Sequence, residues 1–348
     1  MANATSLDRS MARAIAWNAA ARWLAQIFSW ASTIVVARLL SPYDYGLVGM
    51  AGLYLNLAMM VGTGGLGDAI VVFRDLTTEQ VSQLNTVSVL TGFGLIALSL
   101  ALAYPLSWFF AAPPLASIIL VSSVWYIIGS LQVVPKGLLQ KELRFKLLAV
   151  VETARAFFQA FMTIVFALLH FRYWSLVIGY LSGSAVASML TLYWKRQGFA
   201  WPRFRQLWSE IKYGIHLISS RVALYAYDNA DFGVAGRVLG EVPLGNYTVA
   251  WTISSAPVEK IANLVTGVTP AYFSAVQKDQ AELRRYLLRI TETLSFITLP
   301  ASIGLALCAE FLVPVLLGSK WNGAVGPLRL LGIFVAARSI TTILPNLL

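Results

Sequence analysis

Ala37-Arg38-Leu39-Leu40-Ser41-Pro42-Tyr43-Asp44-Tyr45-Gly46 returns 199 residues later, weakly, as Gly236-Arg237-Val238-Leu239-Gly240-Glu241-Val242-Pro243-Leu244-Gly245. Arg38-Leu39-Leu40 aligns with Arg237-Val238-Leu239, Ser41 with Gly240 and Gly46 with Gly245. Further out, Ala51 matches Ala250 and Arg22 matches Arg221. A long-period self-copy is the first organising signal to seek in a chain. In a polytopic membrane protein it points to a transporter built from two related halves. An even number of apolar spans, about six, separates the copies, so both enter the membrane in the same direction. The repeat thus predicts two pseudo-symmetric lobes around a central cavity: an N-terminal six-helix lobe over 1–200 and a C-terminal lobe over 201–348.

Composition fixes the solvent of these lobes. Of the 348 residues 58% are hydrophobic and only 12% are charged, where a soluble domain carries about a quarter charged residues. Apolar runs of about 20 residues, enough to cross the hydrocarbon core as helix, recur about ten times: 14–37, 45–67, 83–110, 115–134, 147–169, 173–194, 213–237, 245–272, 287–313 and 325–345. Backbone groups cannot go unpaired in lipid, and the runs are too long for barrel strands. The fold class is therefore all-α, a polytopic membrane helical bundle of about ten transmembrane helices.

The net charge of +10 sets orientation. With the N-terminus cytoplasmic, 16 of the 26 Lys and Arg fall in alternate, cytoplasmic segments, and five (Arg38, Arg172, Arg237, Lys320, Arg329) fall in the opposite loops. That asymmetry follows the positive-inside rule, and it removes the need for a nucleic-acid partner. The segment 195–212 interleaves aromatics with Arg and could stack on single-stranded nucleic acid. Between two spans it reads better as a linker along anionic headgroups. One cysteine, Cys308, and two histidines, His170 and His216, leave no disulfide and no metal cluster to expect. The first 13 residues and the run after them mimic a signal peptide, but the length of that run and Arg22 within it mark an uncleaved helix.

Ionisable groups at bilayer depth are costly, so they face a cavity or one another. Asn18, Arg22, Gln26 and Ser29 form one stripe on the first span; Arg221, Tyr225, Asp228 and Asp231 lie along the seventh. Glu152, Arg155 and Gln159 share a face of the fifth, and Thr252, Ser255, Glu259 and Asn263 one of the eighth, beside Lys260. Ion pairs between helices explain any one of these residues: Glu152 suits Arg155 at i,i+3, and Arg221 suits Asp228. The matched Arg22 and Arg221 place a cation at one depth in both halves, which suits an anionic ligand held by guanidinium forks. Arg22, Arg155, Arg221 and Lys260, with Asn18 and Gln26, are the candidate substrate-binding residues. Two tempting motifs fail. Gly62-Thr63-Gly64-Gly65-Leu66-Gly67 fits G-x-G-x-x-G but follows no strand; it reads as a helix break or close packing. Asp228 and Asp231 lack a nucleophile or metal cluster, so an enzyme is not expected.

Arg38-Leu39-Leu40-Ser41-Pro42-Tyr43-Asp44-Tyr45-Gly46 and Asp228-Asn229-Ala230-Asp231, followed by Gly236 to Gly240 and Leu244 to Tyr247, resemble the O-antigen and exopolysaccharide flippases of the multidrug/oligosaccharidyl-lipid/polysaccharide exporter superfamily. The resemblance implies two six-helix lobes that move undecaprenyl-diphosphate-linked oligosaccharide across the bacterial inner membrane, for lipopolysaccharide or exopolysaccharide biosynthesis. It implies a cationic cavity for a lipid-linked oligosaccharide diphosphate, alternating access, no cofactor, and membrane lipids and a polysaccharide polymerase as partners. Asp228, Asp231, Glu152 and Glu259 are the candidates for coupling to H+ or Na+, because burial and nearby Arg tune a carboxylate. Pro135 matches Pro345 at an offset of 210, so the second lobe is expected to end about two helices short. A multidrug or cation antiporter of the same superfamily, a membrane polymerase or ligase, and an inactive truncated fragment are the alternatives. The antiporter would call for an acidic cavity, and the polymerase for a large periplasmic loop.

Overall fold

A computed structural model describes residues 31–63, 65–73, 75–203, 205, 207–266 and 280–341. Residues 31–39 are helical, α1. There follow α2 (Pro42–Thr63), α3 (Leu66–Val72), α4 (Thr78–Phe109), α5 (Pro114–Ser122), α6 (Val124–Lys141), α7 (Phe145–Leu168), α8 (Tyr173–Trp194), α9 (Trp208–Leu239) and α10 (Glu241–Thr266), then α11 (Gln280–Leu316), a 3-10 turn (Ser319–Ala324) and α12 (Val325–Thr341). Wherever the described residues cover an expected span they are helical apart from short breaks. Of the first span, 14–37, only 31–37 are described, and the ends of the eighth and tenth fall outside the described residues. The second is broken at its glycine run, between α2 and α3, and the fourth is broken at Ser123. Among the described residues, six stretches are long and apolar enough to cross a membrane: Pro42–Val72, Thr78–Phe109, Pro114–Lys141, Phe145–Leu168, Tyr173–Trp194 and Leu287–Leu316. The chain is a membrane-embedded, multi-pass helical bundle.

Two compact units divide the chain, one made of 1–40 and 50–233, the other of 41–49 and 234–348. In the first, α7 and α8 form a hairpin closed at His170 and Arg172, both with positive φ. Small residues let its helices touch. A Cβ on Gly183 would lie 2.7 Å from the Arg155 carbonyl oxygen, and one on Gly179 would overlap the Thr163 hydroxyl. Close approach through small residues is how membrane helices gain dispersion energy without a hydrophobic driving force. A buried cluster of Ile70, Val81, Leu84, Val134 and Leu207 ties α3, α4 and α6 to the segment before α9.

That segment is more than a linker on headgroups. Its backbone is pinned to the first turns of α4: Asn85 Nδ2 donates to the Gly198 carbonyl at 3.2 Å, the Ala200 amide donates to Thr86 Oγ1 at 3.2 Å, and the Arg203 amide donates to Gln83 Oε1 at 3.4 Å. Trp201 stays 87% exposed, with Phe199 and Trp208 also exposed, as amphipathic rings are at a membrane interface.

In the second unit, Ser41 and Asp44 cap α2: the Asp44 carboxylate accepts from the Ser41 amide at 2.9 Å and from its hydroxyl at 2.6 Å, and Ser41 Oγ accepts from the Asp44 amide at 3.3 Å. Pro42 at the first helical position completes a strong start signal. The N-terminal turns of α2 then cross those of α10. A Cβ on Gly46 would sit 1.8 Å from the Glu241 carbonyl oxygen, and a Cβ on Gly245 would sit 1.8 Å from the Pro42 carbonyl oxygen. These are one contact seen twice, because Pro42 and Gly46 map onto Glu241 and Gly245 at the 199-residue offset. Such self-complementary contact is what a two-fold relation generates. Gly49 continues it, its Cβ direction ending 3.2 Å from Thr248 Oγ1. The 3-10 turn covers the crossing: Trp321, fully buried, meets the Tyr45 ring edge-on at 5.3 Å, and Gly323 rests on Asn246. Desolvation lowers the pKa of Lys320, against the opposing pull of Asp44.

Ala at position 46 or 245 must push the helices apart, because the obstacle is backbone. Each single change should cost about 1–3 kcal/mol, read as loss of thermal stability in detergent. The double variant should cost clearly less than the sum, since the first substitution already opens the shared contact. Strict additivity would contradict a reciprocal crossing.

Candidate functional site

The charged side chains of the first unit gather in two groups. Glu152, seven residues past the start of α7 at Phe145, lies about 10 Å along the helix axis. Its two oxygens accept from Lys136 Nζ at 2.8 Å and Arg155 Nε at 2.9 Å. The i,i+3 partner matches the sequence expectation; the second partner, Lys136, sits inside α6. The trio joins two helices and keeps one net positive charge.

The second group forms where the glycine run breaks the helix. A Cβ on Gly65 would lie 2.3 Å from the Gly214 Cα, so α3 and α9 touch backbone to backbone. Asp68 thereby reaches Arg221, whose Nη1 donates to Asp68 Oδ2 at 2.9 Å. One turn on, the Tyr225 hydroxyl donates to the Leu53 carbonyl at 3.0 Å and more weakly to that of Gly52 at 3.5 Å. Asp68 escaped the sequence reading because it follows a motif set aside as a mere break. That break is what delivers it.

Exposure gives these groups their meaning. The Arg221 and Asp68 side chains are each 40% exposed; Lys136, Glu152 and Arg155 are 39%, 45% and 36% exposed. Arg221 stands 13 residues into α9, about 20 Å from its start. An ionised group within a membrane helix is costly unless it meets water or protein.

Of the remaining candidates, Asp228 is half-buried and Asp231 exposed on α9. Lys260 and Glu259 lie in α10, but their side chains, together with Asn18, Arg22 and Gln26, fall outside the described residues. Arg338 on α12 was missed altogether. Its guanidinium carbon lies 5.7 Å from the centre of the Trp251 ring on α10, and Trp251 meets Phe334 at 6.3 Å. At the start of α11, Arg284, Arg285, Leu288, Arg289 and Glu292 line an open depression of about 440 Å³. Among the described residues, no three His, Cys, Asp or Glu are placed to hold a metal.

With this geometry in hand, comparison with known proteins is decisive at the level of family. Residues 35–326 match the family described as "Polysaccharide biosynthesis protein" (Polysacc_synt_3). The chain belongs to that family. It is 26% identical over 326 residues to the lipopolysaccharide biosynthesis protein WzxC of Escherichia coli K12, covering 90% of this chain and 64% of WzxC. It is likewise 26% identical over 335 residues to the succinoglycan biosynthesis transport protein ExoT of Rhizobium meliloti, covering 93% of this chain and 66% of ExoT. The chain thus spans about two thirds of the length of these relatives. Its fold is that of the lipid II flippase MurJ in an inward closed conformation: TM-score 0.71 at 17% identity, over 92% of this chain and 75% of that one.

The Asp68–Arg221 pair, being part-exposed, should show a coupling of about 0.5–1 kcal/mol in a double-mutant cycle of D68N, R221Q and both, measured by thermal unfolding in detergent. A coupling of zero would mean the two side chains do not meet.

Proposed function

We propose that this protein is a flippase for lipid-linked oligosaccharides, moving a diphosphate-linked sugar unit across the bacterial inner membrane by alternating access, with its N-terminus cytoplasmic. The observation that carries the reading is the presence, in a member of the polysaccharide biosynthesis family, of part-exposed, ion-paired cations well inside long helices: Arg155 within the apolar α7 and Arg221 midway along α9. Such residues are retained against the cost of burying charge because they serve an anionic cargo. A diphosphate offers several oxygens to guanidinium forks, the sugars share the watery interior, and the polyprenyl tail remains in lipid.

In this reading the duplicated lobes are 1–200 and 201–348, and Arg22 and Arg221 face the diphosphate from the two of them, with Arg155, Lys260, Asn18 and Gln26 completing the cradle. The Asp68 carboxylate holds Arg221 in place between transport events and yields a share of its donors when phosphate arrives. The trio around Glu152 works similarly: a phosphate arriving at Arg155 or Lys136 competes with the carboxylate between them. Proton or sodium binding at Glu152, Asp228, Asp231 or Glu259 supplies the drive, since neutralising a carboxylate releases its paired cation. A polysaccharide polymerase takes the delivered unit on the far side. Cationic drugs suit such a lining poorly, which disfavours the antiporter.

The direct test is genetic. Replacing Arg22 and Arg221 together by Ala should abolish surface polymer in a strain that depends on this protein, at unchanged protein level in the membrane. Replacing them by Lys should leave a partial yield, because charge survives but the fork does not. Normal polymer from the Ala pair would remove the diphosphate cradle.

A further inference from the structure

Two half-buried aromatic side chains stand midway along two spans of the first unit. Trp125 belongs to the span Pro114–Lys141 and Tyr180 to the span Tyr173–Trp194. They lie 11 and seven residues past the span starts, about 16 and 10 Å along the helix axis. Trp125 comes two residues after the break at Ser123. Its ring meets that of Tyr180 edge to face, centroids 4.8 Å apart. Tyr126, fully buried, backs the indole at 6.0 Å. Met59 of α2 reaches the same place: a Cβ on Gly129 would overlap its methyl carbon and lie 3.8 Å from the Trp125 ring nitrogen. The indole thus stands where α2, α6 and α8 come together.

The polar tips of this cluster divide into two kinds. Tyr54 shares a hydrogen bond with Ser99 at 2.9 Å, and the Tyr126 hydroxyl donates to the Leu55 carbonyl at 3.4 Å, as buried tyrosines do. The Trp125 N–H and the Tyr180 O–H have no hydrogen-bond partner among the described residues. The same is true of the side-chain amide of Gln159 on α7. Gln159 is level with Tyr180: a Cβ on Gly179 would lie 2.9 Å from its carbonyl oxygen, and one on Gly183 would lie 2.8 Å from its Cβ. Among the described residues, the fully buried polar atoms without a partner belong to Asp44, Asn85, Asn246 and Ser302. The tips of Trp125, Tyr180 and Gln159 are therefore unpaired and still within reach of a small molecule. Arg155, one helical turn before Gln159, lies within electrostatic reach of Tyr180.

Neutral donors set around aromatic rings, beside a cation, suit one kind of molecule. A pyranose carries C–H bonds on its faces and hydroxyls around its rim. The faces lie on aromatic rings, and the rim exchanges hydrogen bonds with N–H, O–H and amide groups. Aromatic walls with a few placed polar groups are the ordinary composition of a small-molecule site. An apolar molecule would leave the three tips without partners, at a cost, and a bare phosphate would have no use for the rings.

We propose that Trp125 and Tyr180, with Gln159, form a sugar-binding platform of the first unit, taking a hydroxyl-rich pyranose of the lipid-linked oligosaccharide. The proposal rests on the flippase reading and adds to it a place for the sugar, beside the Arg155 assigned to the diphosphate. Trp125 supplies a ring face and an N–H, Tyr180 a hydroxyl, and Gln159 an amide that both donates and accepts.

The test is binding of two probes to the purified full chain in detergent. One is undecaprenyl diphosphate, which carries no sugar; the other is the lipid-linked oligosaccharide extracted from a strain deleted for this protein. The unaltered protein should bind the second more tightly. Y180F keeps the ring and removes one hydroxyl; it should weaken the oligosaccharide-bearing lipid several-fold, the scale of one hydrogen bond, and leave undecaprenyl diphosphate unchanged. W125A should weaken it about tenfold, the scale of truncating a contacting tryptophan, and W125F by less. If W125A does not fold, W125F stands in for it. A sugar advantage left intact by either Y180F or the Trp125 variant overturns the proposal and leaves the flippase reading standing. Equal loss for both probes would mark a merely structural ring contact and also overturn it. An unaltered protein that binds the two probes equally overturns the platform alone; one that binds neither overturns the flippase reading with it.

Discussion

Two glycines facing each other across a helix crossing set the geometry on which the rest depends. Gly46 and Gly245 let the backbones of α2 and α10 approach until no side chain fits between them. In lipid no hydrophobic force draws helices together, so packing of this closeness is a main source of cohesion. The contact is reciprocal under the sequence repeat, so duplication and structure testify to the same axis. Everything near it is built to hold it: the Ser41–Asp44 cap that fixes where α2 starts, and Trp321 and Gly323 lying over the crossing.

Polar chemistry is arranged around this apolar frame by breaking helices rather than by adding loops. The Gly62–Gly67 run stops α2, restarts it as α3, and lets Gly65 touch Gly214, and so sets a carboxylate against Arg221. The interhelical Lys136–Glu152 bond stitches α6 to α7 in the same spirit. None of these pairs is a large stability term, because all are part-exposed. Their value is poise. A part-exposed ion pair can exchange one acceptor for another at less cost than a deeply buried pair could.

Much of the bundle was legible because membrane helices advertise themselves by length and continuous apolarity, and six of the stretches described are long and apolar enough to cross a membrane. The repeat was legible because small residues and charges tolerate little change where backbones touch or charge is buried. What escaped did so for physical reasons. Lys136 and Asp68 lie near span ends, where sequence cannot distinguish a loop charge from a helical one. Arg338 sits in the last span, and its aromatic partner is 87 residues away in the chain; spacing rules reach only one helix. The anchoring of 195–207 onto α4 rests on amide hydrogen bonds by Asn85, Thr86 and Gln83, side chains that read as ordinary helix polarity.

The central claim is that the two copies of the repeat meet at this crossing. A cysteine pair at Gly49 and Thr248, with Cys308 replaced by Ser, tests it most directly, because the Cβ direction of Gly49 ends 3.2 Å from the Thr248 hydroxyl and disulfides need Cβ atoms about 4 Å apart. The account predicts rapid, near-complete cross-linking on oxidation, reversed by reductant, and export of polymer that stops and resumes with it. Thiols at 49 and 248 that stay free under oxidation would contradict the crossing itself.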